Sequence, residues 1–201
     1  VAHRYIEWLT HENDKNVKEM QHMHQDDFDV NVNHIIESHG ILLLQENNQL
    51  DMMLFKSQLK KSVTVLLNII DTNQLTIVGS EYQAETDIDG IGRMYAQVDL
   101  LLQKDEKLIV LDFKWNEGSK YTKKLENNLA LQLAVYKNIL EKACNQDVVF
   151  CGYYILPKHK LLTHDHDILS DENIEIVNPA NNNDLFQQAI HSYEYRKNQL
   201  L

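Results

Sequence analysis

The sequence predicts an α/β fold: a central mixed β-sheet flanked by helices. Three observations carry that prediction. Apolar residues recur at helical spacing over roughly the first 70 positions, the period then drops to two over about residues 75–115, and a helical stretch separates this region from one last apolar strand. A helix between two strands lets the second run as a crossover, which a mixed sheet with helices on its faces accommodates.

Residues 1–9, with Val1, Tyr5, Trp8 and Leu9 on one side, read as an amphipathic helix. The polar, His-rich run "HENDKNVKEMQHMHQDDFD" reads as a short helix or loop. From Val30 to Ile70 the spacing is helical: Ile35, Ile36 and Leu42 to Leu44 mark one helix, and Leu59, Val63, Leu66, Leu67 and Ile70 another. Ser38-His39-Gly40 forms the break between them. "QLTIVGSEYQAETDI" alternates and is rich in β-formers. "GRMYAQVDLLLQ" and "KLIVLDFKW" are strands joined by a tight "KDEK" turn. "NEGSKYTKKLENNLALQLAVYKNILEKAC" becomes one long helix from about Tyr121, and "DVVFCGYYIL" is a core strand ended by Pro157. The sheet so assembled has about four strands. The acidic, Asn-rich segment that follows reads as an irregular connection, and Asp184 is placed to cap a final helix to about Asn198.

Composition bounds the function. The 201 residues suit one domain, with 43% apolar residues for its core and only six Gly and two Pro. The opening residue is not Met and falls within a helical pattern, so a domain excised from a longer protein is expected, with residues 157–201 a C-terminal extension. No apolar run approaches the roughly 20 residues of a membrane span, and the first residues lack the pattern of a signal peptide. Cys144 and Cys151 form neither a disulfide framework nor a CxxC metal site, so a reduced, cytoplasmic setting is expected. A net charge of −11 argues against a non-specific nucleic-acid binder but not against a nucleic-acid enzyme whose carboxylates hold metal ions.

The strand "LIVLDFKW" poses the central question, because a core strand rarely carries a carboxylate and an ammonium. Asp112 and Lys114 share one face of it. Folding the hairpin about the middle of "KDEK" sets Lys104 against Lys107 and Gln103 against Leu108. It also brings Asp99 opposite Asp112 and Gln97 opposite Lys114. Directly paired side chains stand about 4.5–5.5 Å apart at Cβ, and two carboxylates that close repel unless a cation or proton intervenes. Such a face suits a divalent metal with oxygen ligands, with Lys114 orienting or deprotonating water and offsetting developing charge. On spacing alone, a buried salt bridge of Lys114 with either aspartate competes evenly, although buried ion pairs stabilise weakly.

These residues resemble the PD-(D/E)XK nuclease superfamily. "VDLLLQKDEKLIVLDFKW" is similar to its core, an Asp on one strand and D-x-K on the next. "LALQLAVYKNIL" resembles the RecB-type Q-x-x-x-Y motif, with Gln132 and Tyr136, and "VAHRYIEWL" resembles the opening helix whose His binds metal, with His3. The motifs occur in the family's order and span residues 1 to about 156, with the closest likeness to the RecB/AddA branch attached to DNA-repair helicases. Ala96 stands where a Gly often precedes the first Asp.

The resemblance implies a restriction-endonuclease-like core and a Mg²⁺- or Mn²⁺-dependent DNase. Its metal ligands would be His3, Asp99, Asp112 and the Phe113 carbonyl, and its catalytic residues Asp99, Asp112 and Lys114. Gln132, Tyr136 and Glu81 would lie on the substrate side. The expected partners are DNA and a helicase motor, in cis or as a helicase–nuclease subunit, with no membrane. Two alternatives belong beside it: a stand-alone phage- or restriction-type nuclease, and an inactive nuclease-fold scaffold or DNA-binding module. Plainer readings also remain for single residues. His3 is a common half-buried type, and Tyr136 adjoins the apolar stripe Leu125, Leu129, Leu133 and Leu140. Lys120, Lys123 and Lys124 contact DNA phosphates or solubilise a helix start. "HMH" at 22–24 and "HDHD" at 164–167 read as solvated loops.

Overall fold

The computed structural model describes residues 1–10 and 16–199. Its helices are α1 (Ala2–Thr10), α2 (Val17–Asp26), α3 (Phe28–His39), α4 (Gln49–Thr72), α5 (Ser119–Glu126), α6 (Leu131–Cys144) and α7 (Leu185–Gln199). Its strands are β1 (Thr76–Ile88), β2 (Gly92–Lys104), β3 (Lys107–Lys114), β4 (Val148–Ile155), β5 (Lys160–Thr163) and β6 (Ile174–Ile176). They form one sheet in the order β1-β2-β3-β4-β5-β6. The first three strands make an antiparallel meander, β3 and β4 are parallel, β4 and β5 antiparallel, and β5 and β6 parallel.

Strand alternation builds a core on each face of this sheet. On one side Ile109, Leu111 and Phe113 of β3 join Phe150 and Tyr154 of β4 beneath α1 to α4. There Tyr5, Ile6 and Leu9 of α1 meet Leu59, Val63 and Leu66 of α4, each worth roughly 1.5–3 kcal/mol when fully buried. The Tyr154 hydroxyl donates to the Ser62 carbonyl (2.7 Å), pinning α4 to the sheet. On the other side Leu108 and Val110 pack with Ile139 and Leu140 of α6. Helices therefore cover both faces.

The β2–β3 turn follows its sequence closely. Asp105 and Glu106 both take positive φ (48° and 62°), as a two-residue hairpin of matching twist requires. The ladder runs Lys104↔Lys107 and Gln103↔Leu108 through Leu100↔Leu111.

Four expectations are corrected. The sheet has six strands rather than about four, because β5 and β6 arise within the segment expected to be irregular. β5 is short, and Thr163 at its end is buried by pairing to β4. The helix expected from about Tyr121 is two helices: Asn128, at φ 49°, turns the chain between α5 and α6. Leu42 to Leu44 belong to a 3₁₀ turn (Ile41–Leu44) past Gly40 rather than to the helix of Ile35 and Ile36. The "HMH" stretch is helical, and His24 is buried, bonded to the Tyr5 hydroxyl (2.9 Å) and the Lys60 carbonyl (2.9 Å). The "HDHD" stretch is a loop as expected, with His166 and Asp167 exposed, and within it His164 reaches the Leu125 carbonyl (2.8 Å). Residues 11–15 of the His-rich run lie outside the described residues. Asp184 caps α7 as expected, its carboxylate accepting from the Gln187 N–H (3.0 Å). No helix among the described residues is long and apolar enough to cross a membrane.

Candidate active site

The site forms where β2 and β3 part. Their ladder ends at Leu100↔Leu111, and one residue further the Asp99 carboxylate accepts from the Phe113 N–H (2.6 Å) instead of a strand partner doing so. Along β2 the alternation slips by one at this point: Val98 and Leu101, three apart, both pack on the α6 side, while Leu100 and Leu102 face α1 to α4. On the neighbouring strand Tyr82 pairs with Val98 and Ser80 with Leu100, which sets Glu81 beside Asp99. Glu81 has φ 47°, a left-handed conformation rare in a strand and costing on the order of 1–3 kcal/mol.

Donor atoms of His3, Glu81 and Asp99 all lie within 4.8 Å of one another, each residue half-buried. His3 comes from α1, with its ring 5.8 Å from that of Phe113. Two carboxylates and an imidazole gathered this closely suit a divalent cation, since the carboxylates alone repel. Glu81 is further held by the Gln97 amide, which donates to it (2.6 Å). Gln97 thus turns to β1 and does not face Lys114.

Asp112 stands beside this cluster rather than in it. It is 1% exposed. Its Oδ1 accepts from the Gln132 amide (2.8 Å) and, at 3.5 Å, from the Tyr136 hydroxyl, and the same Gln132 amide also donates to the Tyr136 oxygen (2.7 Å). Oδ2 is buried and, among the described residues, has no hydrogen bond of standard geometry; its close neighbour is the Lys114 ammonium. Burial pushes the Asp112 carboxyl up to about 6; the Asp99 charge adds to this, and Lys114 and His3 oppose it. Burial also raises the Tyr136 hydroxyl to about 12.

Among the expected metal ligands, the structure thus gathers His3 and Asp99 and adds Glu81, expected on the substrate side. The Asp112 carboxylate turns to Lys114 and α6, and the group of Phe113 in contact with the site is its N–H. Gln132 and Tyr136 hold Asp112. Lys120 and Lys123 are exposed on α5, with no ion pair or hydrogen bond to the site among the described residues.

Two aromatic residues were not legible as part of this site. Tyr153, level with Asp112 on β4, and Tyr121 on α5 have ring centroids 4.7 Å apart and lie 5.9 and 5.7 Å from the Lys114 nitrogen. Both distances are within cation–π range. Gly118, at φ 84°, makes the turn that returns α5 over Lys114. The signal for Tyr153 was the pleat: in a parallel neighbour of β3, it falls on the Asp112 face.

No curated protein matches the sequence. A model of the PD-(D/E)XK nuclease superfamily matches residues 1–200. With the Asp99, Asp112-x-Lys114 and Gln132-x-x-x-Tyr136 residues meeting at the fork of one mixed sheet, the chain belongs to the PD-(D/E)XK nuclease superfamily.

Proposed function

We propose that this chain is a Mg²⁺- or Mn²⁺-dependent deoxyribonuclease domain that hydrolyses phosphodiester bonds of DNA. It works in the cytoplasm in DNA repair or recombination, on ends delivered by a helicase motor in cis or in a partner subunit. The observation that supports the chemistry is the cation-ready cluster of His3, Glu81 and Asp99 beside the buried Asp112–Lys114 pair.

In this reading His3, Glu81 and Asp99 hold the cation, with Asp112 and the Phe113 carbonyl as the adjoining groups that the family pattern assigns to it. When bound, the cation lowers the pKa of water and polarises a phosphate oxygen. Lys114 offsets the charge that develops on the phosphate. Asp112 keeps that ammonium in place, and Gln132 and Tyr136 keep Asp112 in place. Lys120 and Lys123, exposed just past the site strand, contact backbone phosphates.

The test pairs Mn²⁺ titration by calorimetry with single-turnover hydrolysis of linear DNA. Wild-type protein binds Mn²⁺ and cuts. Lys114→Ala keeps or slightly tightens Mn²⁺ binding, because a like charge leaves the cation's surroundings. Its cleavage falls by about 10²-fold or more, the scale of losing one electrostatic or acid–base group. Asp99→Ala loses both properties. Wild type that binds no divalent ion at millimolar concentration refutes the reading.

A further inference from the structure

A cleft opens beside the cation cluster. His3 lines both. The rest of the cleft is apolar, walled by Ile41, Leu42, Phe55 and Trp115, with His39 at its edge. Trp115 follows Lys114 directly in sequence and is 38% exposed. Its ring lies 4.6 Å from that of Phe55, tilted by 42°. Ile41 and Leu42 are 76% and 69% exposed, although side chains of this kind belong in cores. Exposed apolar surface gathered at one place marks a contact.

The geometry points to an unpaired nucleobase as the ligand, stacked in this cleft from the strand whose phosphate lies at the cation cluster. This rests on the nuclease reading above and names its substrate: a single-stranded segment rather than a closed duplex. Three observations favour that occupant. The shared His3 puts the cleft within a nucleotide's reach of the carboxylates, so a strand threaded through the site passes over it. An aromatic pair offers a face to any base, but only to one already free of its own stack. Among the described residues none of the lining side chains is a carboxylate, on a chain of net charge −11, so the cleft spares an anionic strand the repulsion found elsewhere. Stacking is also the part of single-strand binding that does not depend on a net positive charge, and this chain carries −11.

The test measures binding, not cleavage. Fluorescently labelled oligothymidylate is titrated by anisotropy in Ca²⁺, beside a strand of equal length and charge carrying abasic positions. The wild type is expected to bind the thymidine strand at least about fivefold more tightly than the abasic one, the lower end for one base on an aromatic ring. The tryptophan emission of the protein changes on binding. Trp115→Ala removes the preference for bases and leaves the Mn²⁺ thermal shift and the abasic affinity intact. Leu42→Ser, at an exposed position, weakens the same preference without risk to the core. Equal affinity for the two strands in wild type overturns the proposal, as does unchanged thymidine binding in Trp115→Ala. Self-association of wild type through Leu42, with no base preference, overturns it in favour of a protein interface. Mn²⁺ binding and DNA cleavage without base preference sink the stacking alone, whereas absence of both sinks the nuclease reading itself.

Discussion

Replacing Asp112 by Asn is expected to erase a specific slope in the pH dependence of stability. In the metal-free protein, burial raises the Asp112 carboxyl from the ordinary 3.8 to about 6. The folded state therefore holds this proton more tightly than the unfolded chain. Between about pH 4 and pH 6 the native state binds more protons, so the free energy of unfolding falls as pH rises and levels off above about 6. From 3.8 to about 6, at about 1.4 kcal/mol per pH unit, the contribution amounts to about 3 kcal/mol. The side chain is 1% exposed, so solvent screening removes little of this. Asn keeps an oxygen to accept from Gln132 but does not titrate. The assay is urea denaturation in chelator at half-unit steps across that window, for wild type and Asp112→Asn, read as the difference between the two curves so that all other groups cancel. The wild type should lose roughly 3 kcal/mol more than the variant on going from the acid to the neutral end. Parallel curves would refute the reasoning, since Asp112 would then sit in water or be fully compensated by Lys114.

Two further outcomes follow from the backbone and packing around the site. Because Glu81 sits at φ 47°, Glu81→Gly should be more stable than Glu81→Ala by about 1 kcal/mol, the reverse of the usual order inside a strand, and both should lose the Mn²⁺ thermal shift. Chemical denaturation checks the order, and a more stable Ala variant would exclude a left-handed residue there. The Tyr153 hydroxyl is buried with no hydrogen-bond partner among the described residues, so Tyr153→Phe should leave stability unchanged or raise it by up to about 1 kcal/mol and should keep cleavage, since the ring beside Lys114 remains. A drop of more than about 1 kcal/mol on thermal or urea unfolding would mean that the hydroxyl is satisfied after all.

Some of this protein was determined by its sequence alone. The two-residue "DE" turn and the alternation of the strands on either side set the β2–β3 register, because a slip by one would move Leu108 and Val110 to the opposite face of the sheet and take Asp112 away from Gln132 and Tyr136. Helical spacing put Gln132 and Tyr136 on one face of α6, and they do meet at Asp112. Other features depended on partners distant in the chain. β5 and β6 are only four and three residues long, and become strands because β4 offers β5 an edge and β5 in turn offers one to β6. Glu81 joins His3 and Asp99 only because the β1 backbone turns left-handed there and α1 packs across the sheet. Asp112 leaves that cluster for Lys114, Gln132 and Tyr136 because the dry interior under α6 makes every hydrogen bond to a buried carboxylate matter. Spacing along a chain can name the groups that share a face; which of them touch is decided by what the tertiary fold brings against that face and how much water it leaves there.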